Sequence, residues 1–260
     1  MNLDLSGKHA LVCGASQGIG RAAAIALAEL GADVTVLARS RAALEAVVAA
    51  LPRSGAQVHA WIDADMNDAA ALRAKVEAAA KARPITILVN NTGGPAGGPA
   101  HAADAAAYLA AFQQHLLANH ALVQAVLPGM QGAQWGRVVN VISTSVKEPI
   151  RGLGVSNTIR GAVAAWSKTL AGELGPYGIT VNNVLPGYTT TQRLEQILQD
   201  RARNSGKAPA EVAAAMLASV PAGRFAEASE IAAAIAFLAS PAAGYINGIN
   251  LPVDGGRTQS

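Results

Sequence analysis

An open parallel β-sheet covered by helices on both faces, a doubly wound α/β fold, is the fold class that this sequence predicts. Three observations carry it. Short β-branched runs alternate with Ala-rich runs of helical length and spacing along the chain. The first strand-like run leads straight into a glycine-rich turn that opens a helix. Of the 260 residues, 51% are apolar and 14% charged, which suits a sheet buried on both sides and argues against disorder.

The elements follow in order. His9 to Cys13 reads as the first strand and Ile19 to Leu30 as the helix after the turn. Asp33 to Ala38 is a second strand and Arg41 to Leu51 a second helix. Gln57 to Ile62 reads as a further strand, Ala69 to Ala82 as a helix and Ile85 to Asn90 as a strand. The Ala- and Leu-rich stretches Tyr108 to Val126 and Val155 to Leu174 read as helices either side of a strand over Gly136 to Ile142. Thr180 to Val184 and Ile249 to Pro252 complete the strands. Between these two, residues 188–224 mix Thr, Gln, Gly and Pro with short helical runs, and are expected to form a lid over a pocket. No linker, repeat or low-complexity tail interrupts the alternation, so one domain over residues 1–260 is expected.

Composition excludes several functions. The net charge of +3 comes without a Lys/Arg stripe, so no nucleic-acid partner is expected. The lone Cys13 cannot form an internal disulfide, and no metal-ligand spacing is present. No run approaches the ~18 apolar residues of a membrane span. The opening MNLDLSGKHALV carries Asp4 and too short an apolar run for a secretory signal. A cytoplasmic protein without a membrane partner is the expectation.

The turn Cys13 to Arg21, CGASQGIGR, spaces Gly14, Gly18 and Gly20 as G-x-x-x-G-x-G. Such spacing permits a tight strand-to-helix turn, a close backbone approach to a ligand and close packing of helix on sheet. The following helix then offers free N–H groups and its positive dipole end to a phosphate. It reads as a Rossmann-type dinucleotide turn, with Gly14, Ser16, Gln17, Gly18, Ile19 and Gly20 as candidate cofactor contacts; the alternative is an ordinary glycine-rich turn. After the second strand, where NAD-selective folds keep an acid, stand Arg39 and Ser40. A guanidinium and a hydroxyl suit a 2′-phosphate, so NADP(H) is favoured over NAD(H). The alternative for this loop is a solvated basic start to a helix.

These pieces, in order over nearly the whole chain, resemble the short-chain dehydrogenase/reductase family. The turn matches TGxxxGxG with Cys13 in the Thr place; NNTGG, Asn90 to Gly94, resembles NNAG; Leu185 to Gly187 resembles the PG motif after the sixth strand; YINGINLPVDGG, Tyr245 to Gly256, resembles the family's ending. The resemblance implies a seven-stranded sheet with a nicotinamide cofactor along its C-terminal edge. It adds Asp65 and Met66 at the adenine, and Asn91, Thr92, Gly93, Pro186, Gly187, Thr189 and Thr191 toward the nicotinamide. It also implies a homo-oligomer, a tetramer or dimer, which the small-residue faces of the helices 108–126 and 155–174 would suit.

The family's proton donor is a Tyr with a Lys four residues on, a Ser on the fifth strand and an Asn on a neighbouring helix. Carried onto this sequence, those places are Ser156, Arg160, Ser143 and His115, so the Ser alone persists. Lys168 falls further along the helix and reads as structural. Losing a general acid costs ~10²–10⁴ in rate, about 3 to 5 kcal/mol. His115 is expected to titrate near neutral pH and so to replace the acid, unless it is satisfied within a helix interface. Tyr188 is a candidate substrate contact or a plain pocket wall; His101 reads as a loop residue. For Ser156 and Arg160 the alternative is a helix cap and a surface cation; for Ser143, a hydroxyl capping local backbone. Within the family, the chain resembles members grouped with 3-oxoacyl-(acyl-carrier-protein) reductases. Two functions follow: an NADP(H)-dependent oxidoreductase of a small-molecule carbonyl or alcohol with an altered proton donor, or a catalytically silent dinucleotide-binding sensor or partner.

Overall fold

The computed structural model describes residues 1–259; residue 260, the last of the expected domain, lies outside the described residues. Seven parallel strands stand in the order β3-β2-β1-β4-β5-β6-β7. They are β1 (His9–Cys13), β2 (Asp33–Ala38), β3 (Ala60–Asp63), β4 (Ile87–Asn90), β5 (Gly136–Val141), β6 (Ile179–Pro186) and β7 (Asn250–Val253). Helices α1 (Gly18–Glu29) and α2 (Arg41–Ala50) cover one face together with α9 (Ala228–Ala239), around a core that includes Leu27, Val34, Leu44 and Ile235. The opposite face carries α3 (Ala69–Ala82), α5 (Ala118–Gly132) and α6 (Gly154–Leu174) over Leu11, Leu88, Leu122 and Val181. Helix α4 (Ala105–Phe112) runs into α5 through a π-helical segment, Gln113–Leu117. Two further helices, α7 (Gln192–Ser205) and α8 (Pro209–Leu217), pair above the C-terminal ends of the strands. They enclose a small cluster of their own: Leu194, Ala202, Val212 and Met216, with Tyr188 and Phe225 against it.

The expected strands are present; β5 and β7 differ from expectation by a single residue at their ends, and β3, β4 and β6 differ for a local reason. The strand expected over 57–62 begins at Ala60. Two residues earlier than that, Val58 gives its N–H to the Asp33 carboxylate. The His59 ring occupies the next place, its Nδ1 accepting the Val34 N–H at 3.2 Å and its Nε2 facing the Pro52 carbonyl at 3.0 Å. A side chain thus takes a bond that the ladder would otherwise make. At the start of β4 the ladder bonds Thr86 N–H to His9 O and Arg137 N–H to Thr86 O already run, so Ile85 and Thr86 differ from strand only in the fraying of the edge. Strand β6 continues past Val184 because Leu185 and Pro186 pair with β7, where proline is tolerated at a strand end.

A row of four asparagines, three of them buried, fixes α6 on the sheet. Asn90, Asn140, Asn183 and Asn250 are register partners on β4 to β7. Asn90 Nδ2 donates to Asn140 Oδ1 (2.8 Å), Asn140 Nδ2 to Asn183 Oδ1 (3.0 Å) and Asn183 Nδ2 to Asn250 Oδ1 (2.8 Å). Ser167 on α6 joins the chain, accepting from Asn140 and donating to Asn183, both at 2.8 Å. Amides linked head to tail polarise one another, and burial makes each bond costly to lose. The first half of α6, with Ser156 and Arg160, is thereby held over the ends of β5 and β6.

Candidate active site

Strand order reverses between β1 and β4, and the crevice outside the strand ends at such a reversal is where open α/β sheets bind ligands. A cleft of about 450 Å³ lies there. Its floor is the glycine turn. Gly14 has φ +59, and a Cβ on it would stand 2.6 Å from the Asn91 carbonyl oxygen. A Cβ on Gly20 would meet the Gly14 carbonyl oxygen at 2.3 Å, so both positions require glycine. The Asn91 side chain braces the turn, its Nδ2 donating to the carbonyls of Cys13 and Gly14 at 3.3 Å. Gln17 makes no side-chain cap on α1, leaving the first-turn N–H groups open toward the cleft.

Of the residues expected at the cofactor, Gly14, Gln17, Gly18 and Ile19 line this cleft from the turn. Asn91, Thr92 and Gly93 line it from the end of β4, and Pro186, Gly187, Thr189 and Thr191 from the end of β6. Thr191 caps α7, accepting the Leu194 N–H, and its hydroxyl donates to the Thr189 carbonyl. Gly20 lies beneath the turn, and Ser16 is outside the lining. Arg39, Ser40, Asp65 and Met66 also lie outside it, along the ends of β2 and β3. There Arg41 pairs with Glu45 and stacks over Trp61, while exposed Arg39 has no carboxylate partner among the described residues. Ser40 caps α2 by accepting the Ala43 N–H. The Asp65 carboxylate accepts the backbone and side-chain N–H groups of Asn67.

The catalytic candidates converge on the opposite wall. Ser143, Ser156, Arg160 and Tyr188 all line the cleft. Ser156 does not cap α6: the helix starts at Gly154 after Leu153, which makes no side-chain cap. Arg160 is not a surface cation either. It is 7% exposed and donates from Nη1 to the Val141 carbonyl at 2.9 Å. No carboxylate pairs with it among the described residues; burial, and secondarily Arg193, pull its pKa down to about 10, so it stays cationic at neutral pH. Ser143 accepts the Ser145 N–H at 3.1 Å, the local capping role, which still leaves its own O–H to donate. Asn157, between the two catalytic candidates of α6, faces away. Its amide holds the preceding loop through Ile150 N–H and carbonyl. Tyr188 packs edge-on against Phe225 with the Arg257 guanidinium 5.0 Å over its ring.

His115 sits in the π-helical segment, a feature often found at functional sites, and lies behind the wall rather than on it. The expectation that it titrates near neutrality is corrected here. It is 1% exposed, its Nδ1 lies 2.5 Å from Thr92 Oγ1, and its Nε2 has no partner among the described residues. Burial, then the Arg160 charge, lower its pKa to about 3. A neutral ring at pH 7 cannot serve as the acid, but it can hold the Thr92 hydroxyl. His9 is similarly lowered to about 4, chiefly by burial.

These two rings make stability acid-sensitive. Both are neutral in the fold, and each takes up a proton on unfolding at any pH below the ordinary value of 6.5. Stability is therefore full above 6.5 and falls as pH drops toward about 4 for His9 and about 3 for His115. Between pH 6.5 and pH 5 each ring should remove about 2 kcal/mol, and near pH 5 the slope should reach about 2 to 3 kcal/mol per pH unit. Urea unfolding across pH 5 to 7.5 measures it. His9→Gln should halve the slope, and a flat profile in the wild type would contradict the burial of both neutral rings.

Comparison with known proteins places this geometry among relatives. The family model described as enoyl-(acyl carrier protein) reductase matches residues 14–258. The 3-oxoacyl-[acyl-carrier-protein] reductase of Pseudomonas aeruginosa is 33% identical over 99% of this chain and 100% of its own. The cyclohexanol dehydrogenase of a Rhodococcus species is 34% identical over 100% of this chain and 99% of its own. The L-sorbose reductase of Gluconobacter frateurii, solved with NADPH and L-sorbose, superposes with a TM-score of 0.92 at 26% identity, all of both chains covered.

Proposed function

Because the chain belongs to the short-chain dehydrogenase/reductase family, we propose that it is an NADP(H)-dependent oxidoreductase that interconverts a small-molecule carbonyl and its alcohol through Ser143, Ser156 and Arg160. The observation that carries this reading is a buried arginine without a carboxylate, on the cleft wall shared with two serine hydroxyls.

The residues present fit a nicotinamide dinucleotide. The open N–H groups at the start of α1 suit its phosphates, the glycine turn keeps side chains out of its path, and among the described residues the cleft lining contains no Asp or Glu to repel it. A nicotinamide held there would supply hydride-transfer chemistry toward the substrate carbon. The chain's own groups serve the oxygen. Reduction builds negative charge on it, and the Arg160 cation, already desolvated, stabilises that charge without reorganisation. Ser143 and Ser156 donate hydrogen bonds to it, and Ser156 hands on a proton from the water of the cleft. His115 is a positioning residue, holding Thr92 beside the same wall. Helices α7 and α8, within 188–224, close over the bound pair as a lid. Exposed Leu109 and Phe112 on α4 support a homo-oligomeric contact along the α4–α5 face.

Steady NADPH consumption with a panel of aldehydes and ketones tests the reading. The coenzyme preference rests on Arg39 and the Ser40 hydroxyl. Arg39→Ala should raise the KM for NADPH ~10–100-fold, the worth of a charge-assisted hydrogen bond, and that for NADH less than ~3-fold. Equal effects on both coenzymes would mean that Arg39 does not meet the 2′-phosphate.

A further inference from the structure

Among the described residues, the cleft wall holds two arginines and no acid. The Nη2 atoms of Arg193 and Arg160 lie 3.6 and 3.9 Å from the single point that a Cβ on Gly94 would occupy. Their separation therefore cannot exceed the sum of those distances. Two cations so close, one of them buried, repel each other unless something anionic stands between them. Neither has a carboxylate partner among the described residues: the ion pairs of the molecule lie elsewhere.

Arg193 is also costly where it stands. It occupies the first turn of α7, where the helix dipole disfavours a cation and favours an acid. Its guanidinium does not turn to Glu195 in the same turn. It reaches back to donate to the Pro95 carbonyl at 2.8 Å and is held over the cleft mouth. Leu153, Tyr188, Arg193 and Ile197 are shared with a second, larger cleft. That cleft is lined by Arg151, Arg201 and Lys207, and its one lining carboxylate among the described residues, Asp200, is paired with Arg203. A path of positive potential thus leads past Arg193 to the serines, and fields of this kind raise the local concentration of anions.

We propose that the substrate is an anionic carbonyl compound whose carboxylate or phosphate is bound by Arg193, between the two clefts. This deepens the reading of the cleft as the cofactor and substrate site and rests on it. The coenzyme's own phosphates are served at the other end of the cleft, by the start of α1, so Arg193 is left for the substrate.

Matched pairs test it by binding, apart from turnover. Protein loaded with NADP⁺ is titrated calorimetrically with 2-oxopentanoate and 4-oxopentanoate, with their methyl esters, and with dihydroxyacetone phosphate against dihydroxyacetone. At least one anion should bind ~10–100-fold tighter than its neutral partner, the worth of a charge-assisted hydrogen bond; which pair does so distinguishes carboxylate from phosphate. Arg193→Gln should bring that ratio toward one, Arg193→Lys should recover part of it, and the affinity for NADP⁺ should change less than ~3-fold in both. Equal or undetectable binding within every pair overturns the proposal, as does a loss of NADP⁺ affinity in Arg193→Gln as large as the loss of anion affinity. Anion selectivity without any NADPH turnover would instead sink the proton-donor reading and leave Arg193 standing as an anion-binding residue.

Discussion

Arg160→Leu should lower kcat/KM for carbonyl reduction by ~10²–10⁴ while leaving the fold at least as stable as before. The two halves have one cause. Arg160 is a desolvated cation that donates to the Val141 carbonyl and has no counter-charge among the described residues. Replacing a buried, unpaired charge by an apolar side chain of similar volume commonly stabilises a protein by ~1–4 kcal/mol. A residue kept for structure would show the reverse, with activity falling only as the protein unfolds. Thermal unfolding beside steady-state kinetics separates the two, and a melting temperature well below that of the wild type would argue against a role in transition-state stabilisation. The same cation sets a pH limb. With its pKa drawn down to about 10 by burial, Arg160 is charged at neutral pH, and the reductive rate should hold through neutrality and fall as pH rises through about 10.

The largest gain should come from the converse change. Ser156→Tyr together with Arg160→Lys supplies a phenol whose ordinary pKa is ~10 and an ammonium to lower it. If the hydride is already positioned and only the acid is weak, the double variant should reduce the same carbonyls ~10²–10⁴-fold faster, with kcat rather than KM carrying the change. A double variant slower than the wild type would mean that the serine and arginine act as a matched pair that a phenol disturbs. The single Ser156→Tyr change should gain less, since its proton would lack the neighbouring amine.

Most of the sheet was legible because buried parallel strands leave continuous apolar runs, as in His9–Cys13 and Asp33–Ala38, which need no tertiary knowledge. What escaped depends on contacts between distant residues. The late start of β3 follows from the His59 ring bonding to Val34, and periodicity carries no trace of such a bond. His115 was found through the family resemblance, but its pKa is set by burial and by Arg160, forty-five positions away in sequence and adjacent in space. Asn157 stands between Ser156 and Arg160 in sequence, yet its amide holds Ile150 rather than the cleft, a contact that no local pattern announces. Arg193 was not singled out, since QRLEQ reads as an ordinary amphipathic helix start; a cation where the dipole favours an acid was the available signal. The asparagine row had a trace as well, because Asn90, Asn140, Asn183 and Asn250 all sit in strands that β-propensity would deny them.

The central claim is that the cleft over the strand ends is built for a nicotinamide dinucleotide. Calorimetric titration of the purified protein with NADPH and with NADH tests it most directly. One NADPH should bind per chain, and NADH at least ~10-fold more weakly, as expected when a charge-assisted bond to the 2′-phosphate is lost. No measurable binding of either coenzyme would contradict the account.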